Sequence, residues 1–465
     1  MGPTFAAQSI SHNTVKKMIV AAVIKVRALG MFIVVTVLTA LLSPPVESGW
    51  AADQRTWRSV SELSEEELQT LDLRTETPRD PAFPYLPAEP YPFSPPYTAE
   101  EMGLLSTEFA HMPRRNCALV EAYGTVSANG YLTTSQAIGL VLYRDPVGLV
   151  GQLTTKPGDW YTQWLFQTIA PAEQHGHQSL YTLYRTDQQF TTKVDLFAYA
   201  PELRRVRRQP QPRRQDKYPG FAQAFDNFLN RDAWEFRWRL IGTDILFETV
   251  RFPHTRTSIT LTAADGSLSD TPPQALKLMG PDYPFYTPEG GVACYVVEAR
   301  AREDWIPGYY VPKILYWLDR QTFFPLRIEE YDANGVLTYI EERTAQLVDP
   351  ELGNRGYEGH LFLSWDIPQD LLSYDIHDAY RPQSWSAADQ AVFFSPDFLR
   401  RVWFVAPLKS QATVPDPEAF FLRPAVYQEK FPQERQIVLS PQLQARIEAQ
   451  ERAGRLVFEA DQSSR

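Results

Sequence analysis

Cysteine is almost absent from this chain, with two in 465 residues, Cys117 and Cys294. That excludes a disulfide-stapled miniature fold and a four-cysteine zinc site. It leaves one pairing open, Cys117 with Cys294, which an oxidising compartment allows; two buried thiols are the alternative. Histidine is scarce as well. The one close pair, His175 and His177, has no third ligand near it in the sequence, so it reads as a polar loop, and neither metal nor cofactor is expected. Positive charge is in deficit, with a formal net charge of −11, which argues against a nucleic-acid partner. Catalytic signatures are missing too: there is no Gly-x-Ser-x-Gly elbow, phosphate loop or glycine-rich dinucleotide turn. Glu303-Asp304 and Glu329-Glu330 are adjacent carboxylates, but strand neighbours face opposite ways and make no ready acid–base couple. No catalytic residue is named, and the chain is not expected to be an enzyme.

Long hydrophobic runs are equally rare. The uncharged stretch Ala28 to Leu42 is shorter than the roughly 20 residues a membrane helix requires. Lys16, Lys17, Lys25 and Arg27 precede it, Ser43-Pro44-Pro45 breaks it, and the small residues Gly49, Ala51 and Ala52 follow. This is the pattern of a leader for export, so residues 1–51 are expected to be a signal peptide and the mature protein to be periplasmic, with membrane association the alternative. Without that segment the chain loses four of its 45 basic residues and one of its 56 acidic ones, leaving 41 and 55, a net charge of −14.

Aromatic residues and proline are plentiful. Residues 52–104 read as an N-terminal arm: Ser64 to Glu67 and Thr98 to Glu101 are capping boxes that start short helices. Between them, eight prolines from Pro78 to Pro96 alternate with Phe83, Tyr85, Tyr91, Phe93 and Tyr97, giving an extended segment that packs along the body. Residues 105–345 read as antiparallel β. Asn129-Gly130, Asp265-Gly266 and Asn334-Gly335 sit between alternating runs as hairpin turns, and Ile314 to Glu342 spells out three strands. No strand–helix–strand rhythm appears, so a parallel nucleotide-binding sheet is not expected. Residues 346–465 lose the strand rhythm and read as loops and short helices packed on the sheet. They end in a helix marked by Ser440, Pro441 and Gly454.

The stretch Asp195 to Gly242 organises this reading. Arg204 to Arg208 place arginine on both faces of one strand, which suits a solvated edge or a basic collar at the mouth of a cavity. Trp234, Phe236, Trp238 and Leu240 then alternate, as on a strand with one buried face. Arg205, Arg207, Arg208, Trp234, Trp238 and Trp317 are the candidate ligand or partner contacts.

Three stretches together resemble a bacterial family, the outer-membrane lipoprotein-sorting-like proteins, whose domain has no assigned function and is related to the lipoprotein carrier fold. They are Tyr199-Ala200-Pro201 with Arg204 to Arg208, Asp226-Asn227-Phe228 leading to Trp238-Arg239-Leu240-Ile241-Gly242, and Trp317 to Thr322 with Tyr331 to Gly335. The chain departs from the family at Glu202, where glycine is usual. The resemblance implies a mainly β fold: a curved, incompletely closed antiparallel sheet, or half-barrel, with helices and long loops covering its concave side. It further implies a carrier or chaperone for lipid or lipoprotein acyl chains in the envelope, working beside an efflux-type inner-membrane transporter. An envelope enzyme acting on glycans or lipids, and a structural assembly factor, are the alternatives.

Overall fold

The computed structural model describes residues 56–401 apart from 111–114, 128–131, 146–151, 219–220, 247–258, 263–267, 272–276, 281 and 384. The arm begins with β1 (Arg58–Ser59) and α1 (Glu65–Gln69), and both expected capping boxes are made. Ser64 Oγ accepts from Glu67 N at 3.2 Å while Ser64 N donates to the Glu67 carboxylate at 2.7 Å. Thr98 and Glu101 repeat the arrangement at the start of α2 (Ala99–Leu104), which runs on as a wider helical turn through Ala110. These reciprocal bonds satisfy helix-end donors that would otherwise be orphaned. The proline-rich segment between the helices buries Leu86, Tyr91 and Phe93 in the largest core cluster.

The body is one fourteen-stranded antiparallel sheet that does not close. In chain order the strands are β2 (Cys117–Val126), β3 (Leu132–Tyr143), β4 (Trp160–Ala170), β5 (Gln178–Tyr184), β6 (Val194–Ala200) and β7 (Arg205–Gln209). After the short helix α3 (Phe225–Phe228) come β8 (Phe236–Leu246), β9 (Ile259–Thr262), β10 (Leu268–Thr271), β11 (Val292–Ala301), β12 (Lys313–Asp319) and β13 (Pro325–Tyr331). The last are β14 (Leu337–Leu347), β15 (Tyr357–Asp366) and β16 (Leu371–Pro382), followed by α4 (Ala387–Phe393). β9 and β10 form a separate two-stranded ribbon. The spatial order is β1-β8-β11-β12-β13-β14-β15-β16-β2-β3-β4-β5-β6-β7. Two meanders therefore meet at a seam, where β16 pairs with β2.

The connection from β7 to β8, residues 210–235, joins strands near opposite ends of the order, so it has to cross a face of the sheet. Its anchors record the path. Tyr181 and Tyr218 share a hydrogen bond of 3.0 Å between their hydroxyls, and Phe221 stacks on Tyr123 at 5.0 Å. Ala222 N donates to Ser373 Oγ at 3.0 Å, Lys217 meets Asp366 at 2.9 Å, and Arg231 meets Glu330 at 2.6 Å. This strap and the N-terminal arm cover the same face: residues opposite one another in register share a side, and Phe236, Val297, Ile314, Tyr316 and Ile328 pack beneath the arm.

The Asn334-Gly335 turn connects β13 to β14, with Gly335 at φ 79°. That left-handed conformation suits glycine. The Asn129-Gly130 and Asp265-Gly266 turns, the leader and the helix from Ser440 to Gly454 lie outside the described residues.

One expectation is corrected and one open alternative is decided. Residues 346–465 were expected to be loops and helices packed on the sheet; instead β15 and β16 stand within it, between β14 and β2. β15 alternates in sequence, with Tyr357, Leu361, Leu363 and Trp365 on one face and Glu358, His360, Ser364 and Asp366 on the other, and it is buried almost throughout, most of its polar face included. Cys117 and Cys294 are not bonded to each other. They lie in β2 and β11 with five strands between them, about 29 Å measured along a sheet with strands ~4.8 Å apart. A disulfide spans less than about 7 Å between Cα atoms.

Candidate functional site

A cavity of about 80 Å³ lies under the strap on the arm-covered face, where the meanders meet. Its apolar wall includes Leu119, Val141, Trp164, Phe166, Phe228 and Phe362. β2, β3, β4 and β15 supply all of these except Phe228, which comes from α3 in the strap. Phe228 stacks on Tyr218 at 4.2 Å and meets Trp164 edge-on at 5.5 Å, so the strap closes the cavity with aromatic contacts.

The other wall is charged. Glu121 of β2 and Asp375 and His377 of β16 share one face because Glu121 opposes His377 across the seam and Tyr123 opposes Asp375. His377 Nε2 lies 3.2 Å from Asp375 Oδ2 and 3.7 Å from Glu121 Oε1, and its Nδ1 lies 3.3 Å from Glu358 Oε1 on β15. Burial raises the Glu121 carboxyl to about 8, and the neighbouring Asp375 charge adds to the shift. Burial also raises Glu358. For His377, burial opposes the charged form, but Asp375, Glu358 and Glu121 outweigh it and hold the imidazolium well above its ordinary range. Arg343 completes this wall, bonded to Glu341 at 2.5 Å and lying over the Phe362 ring.

Arg205 and Arg207 sit on the edge strand β7, on the same side as the cavity, since Arg207 opposes Ala198 and Trp164 opposes Tyr181 along the register. They line a second hollow of about 310 Å³ with His177, Tyr181, Leu203 and Tyr218. Tyr181 and Tyr218 in turn pack on Trp164 and Phe228 of the first cavity. Arg208 points to the other face and pairs with Asp195.

The three tryptophans lie apart from both hollows. Trp234 is buried against the Arg185 guanidinium, 3.7 Å from its ring. Trp238 donates to Ala233 O at 2.8 Å and packs on Gly103, where a Cβ would come within 2.3 Å of the indole. Trp317 lies on the opposite face, donating to Asp244 at 2.9 Å. His177 meets Glu202 at 3.0 Å in an exposed pair. Glu329 and Glu330 do face opposite ways, towards Arg327 and Arg231 respectively. Sequence reasoning missed the cluster of Glu121, Glu358, Asp375 and His377. Its one local signal is Asp375-Ile376-His377, two polar residues two apart on a strand.

An open, fully antiparallel sheet carrying a strapped cavity on one face defines a mainly β class with few helices. Residues 88–400 match the family described as protein of unknown function DUF1329, and the chain belongs to that family. A comparison with curated proteins finds no match. Among solved structures it is similar to a DUF1329 family protein from Desulfovibrio piger, with 14% identity over 65% of this chain and 95% of that one and a TM-score of 0.43. A putative outer membrane lipoprotein-sorting protein domain from Vibrio parahaemolyticus shares 14% identity over 65% and 97%, with a TM-score of 0.42. A LolA superfamily protein from Nitrosomonas europaea shares 12% over 65% and 99%, with a TM-score of 0.37.

Proposed function

We propose that this protein is a periplasmic carrier or chaperone for a hydrophobic ligand, a lipid or the acyl chains of a lipoprotein, delivered with an inner-membrane transporter. The observation that supports it is the cavity under the strap, aromatic and aliphatic on one side, whose Trp164 and Phe228 pack on Tyr181 and Tyr218 of the larger hollow that holds Arg205 and Arg207. In this reading the arginines meet an anionic head group while Trp164, Phe166 and Phe228 meet the chain.

The volume sets a condition. At 10–15 Å³ per water, 80 Å³ holds about six waters, or a chain end of about six methylenes. Burying those contributes roughly 5 kcal/mol, which falls short of or barely offsets the cost of association, about 4–15 kcal/mol. The strap therefore has to lift for a whole acyl chain to load.

Native mass spectrometry with organic extraction, on protein purified from a periplasm without detergent, tests the reading. A co-purifying lipid that is lost in Trp164→Ala supports it. A clean apo mass that stays apo on incubation with envelope lipids refutes it. Arg205→Glu with Arg207→Glu is expected to weaken lipid transfer between vesicles while leaving the unfolding transition in place; unchanged transfer would remove the arginines from the ligand path.

A further inference from the structure

The charged wall of the cavity carries a second inference, independent of the carrier reading. We infer that Glu121, Asp375 and His377 form a binding site for one divalent first-row transition ion of the Zn²⁺ type, with Glu358 as the group that orients the histidine.

The donor atoms lie close enough to share one cation. One donor atom from each of Glu121, Asp375 and His377 lies within 4.8 Å of the others. Two of the separations are 3.2 and 3.7 Å. A cation about 2.0–2.2 Å from each donor holds neighbouring donors roughly 3.0–3.6 Å apart, so closure needs shifts of only tenths of an ångström on these two edges. The donors stand on paired strands whose register fixes them on one face.

The imidazole is also held on its far side by Glu358. His377 Nε2 faces the two carboxylates while its Nδ1 faces the buried Glu358 carboxylate at 3.3 Å. A carboxylate behind a ligating imidazole selects its tautomer and fixes its ring, an arrangement general to histidine metal sites.

Hydrogen-bond acceptors outnumber donors around the imidazole. Three carboxylates gather around one imidazole, and Arg343 at the cavity wall is engaged by Glu341. Neither Glu358 Oε2 nor Asp375 Oδ1 meets a hydrogen-bond donor among the described residues, although both atoms are buried. Glu358 as a whole is 1% exposed. Buried carboxylate oxygens without donors are costly, and a dication relieves that cost.

The donor chemistry selects the ion. One imidazole with two carboxylates favours Zn²⁺ and its first-row neighbours over Mg²⁺ and Ca²⁺, which take all-oxygen sets. Because all three donors line the cavity, the remaining coordination position opens into it. A water or an anionic ligand group can occupy that position.

The test is titration of untagged, chelator-treated protein with Zn²⁺ alone, followed by calorimetry and by metal analysis after gel filtration. One equivalent bound at about 10 μM or tighter is expected. His377→Ala should weaken binding more than about 100-fold, and Glu358→Gln about 10–100-fold, as outer-shell changes do. No binding by folded wild-type protein up to about 1 mM Zn²⁺ overturns the inference, as does one equivalent retained in His377→Ala. If that variant fails to fold, Co²⁺ absorption of the wild type decides. Intense visible d–d bands support a protein-ligated site, and the weak spectrum of the hydrated ion refutes it. None of these readouts involves lipid, so the carrier reading can fail without touching this one.

Discussion

Replacing Arg231 with methionine should release the strap. Arg231 lies on the strap with its side chain 5% exposed, and Glu330 on β13 is 4% exposed. The guanidinium donates to Glu330 at 2.6 Å, to Tyr309 Oη at 2.8 Å and to Tyr310 Oη at 3.4 Å. Glu330 accepts a further bond from Asn227 Nδ2 at 2.5 Å, so its carboxylate ties two points of the strap to the sheet. Methionine keeps the length and apolar bulk of the side chain but strands the carboxylate. Losing a charge-assisted bond costs about 1.5–3 kcal/mol, and leaving the partner charge buried raises the total to about 3–5 kcal/mol. In Arg231→Met with Glu330→Met no buried charge is left behind, so most of that loss should return. Urea unfolding of the two variants measures both figures, with the slope checked for a common two-state transition. A loss below about 1 kcal/mol in Arg231→Met would refute the reasoning, and so would a double variant no more stable than the single. If the strap is the lid over the cavity, amide exchange in residues 221–231 should rise in Arg231→Met before exchange in β12 and β13 does.

Two further outcomes follow from local geometry. Arg185 is fully buried, stacks on Trp234, and donates to Gln152 O and to Tyr85 Oη at 3.0 Å each. Lysine cannot reproduce the planar fork, so Arg185→Lys should cost about 3 kcal/mol by thermal or urea unfolding, and a cost under about 0.5 kcal/mol would contradict the role assigned. Glu67 is held down to about 2, first by its bond to Arg58 and next by the Ser64 backbone N–H. A depressed carboxyl contributes stability that is fully present above its unfolded value near 4.5 and is lost as pH falls towards 2. Carboxyl NMR should therefore place the Glu67 midpoint near 2, with protection at the start of α1 fading over the same range. A midpoint near 4.5 would show that the capping box and the Arg58 pair do not persist in solution.

What the sequence alone determined is local. Ser64 to Glu67 and Thr98 to Glu101 start helices because the bonds involved span three residues. Lys313 to Leu347 folds as three strands because Asp319 to Thr322 and Asn334-Gly335 turn the chain in place. Arg205 and Arg207 share one side of an edge strand because side chains alternate along it, whatever the strand pairs with. Only the tertiary structure decided the rest. β15 and β16 do alternate, Leu361, Leu363 and Trp365 against Glu358, Ser364 and Asp366, and Leu372, Tyr374 and Ile376 against Ser373, Asp375 and His377, but their place inside the sheet rests on the long-range pairing of β16 with β2. Trp234, Trp238 and Trp317 looked like ligand contacts, but packing against Arg185, Gly103 and Asp244 absorbs them. The cluster of Glu121, Glu358, Asp375 and His377 exists because two meanders, built from opposite ends of the chain, meet where β16 pairs with β2. No short-range pattern connects Glu121 to His377. The register of a long-range pairing does, and that register is set by which faces of all fourteen strands can be buried together.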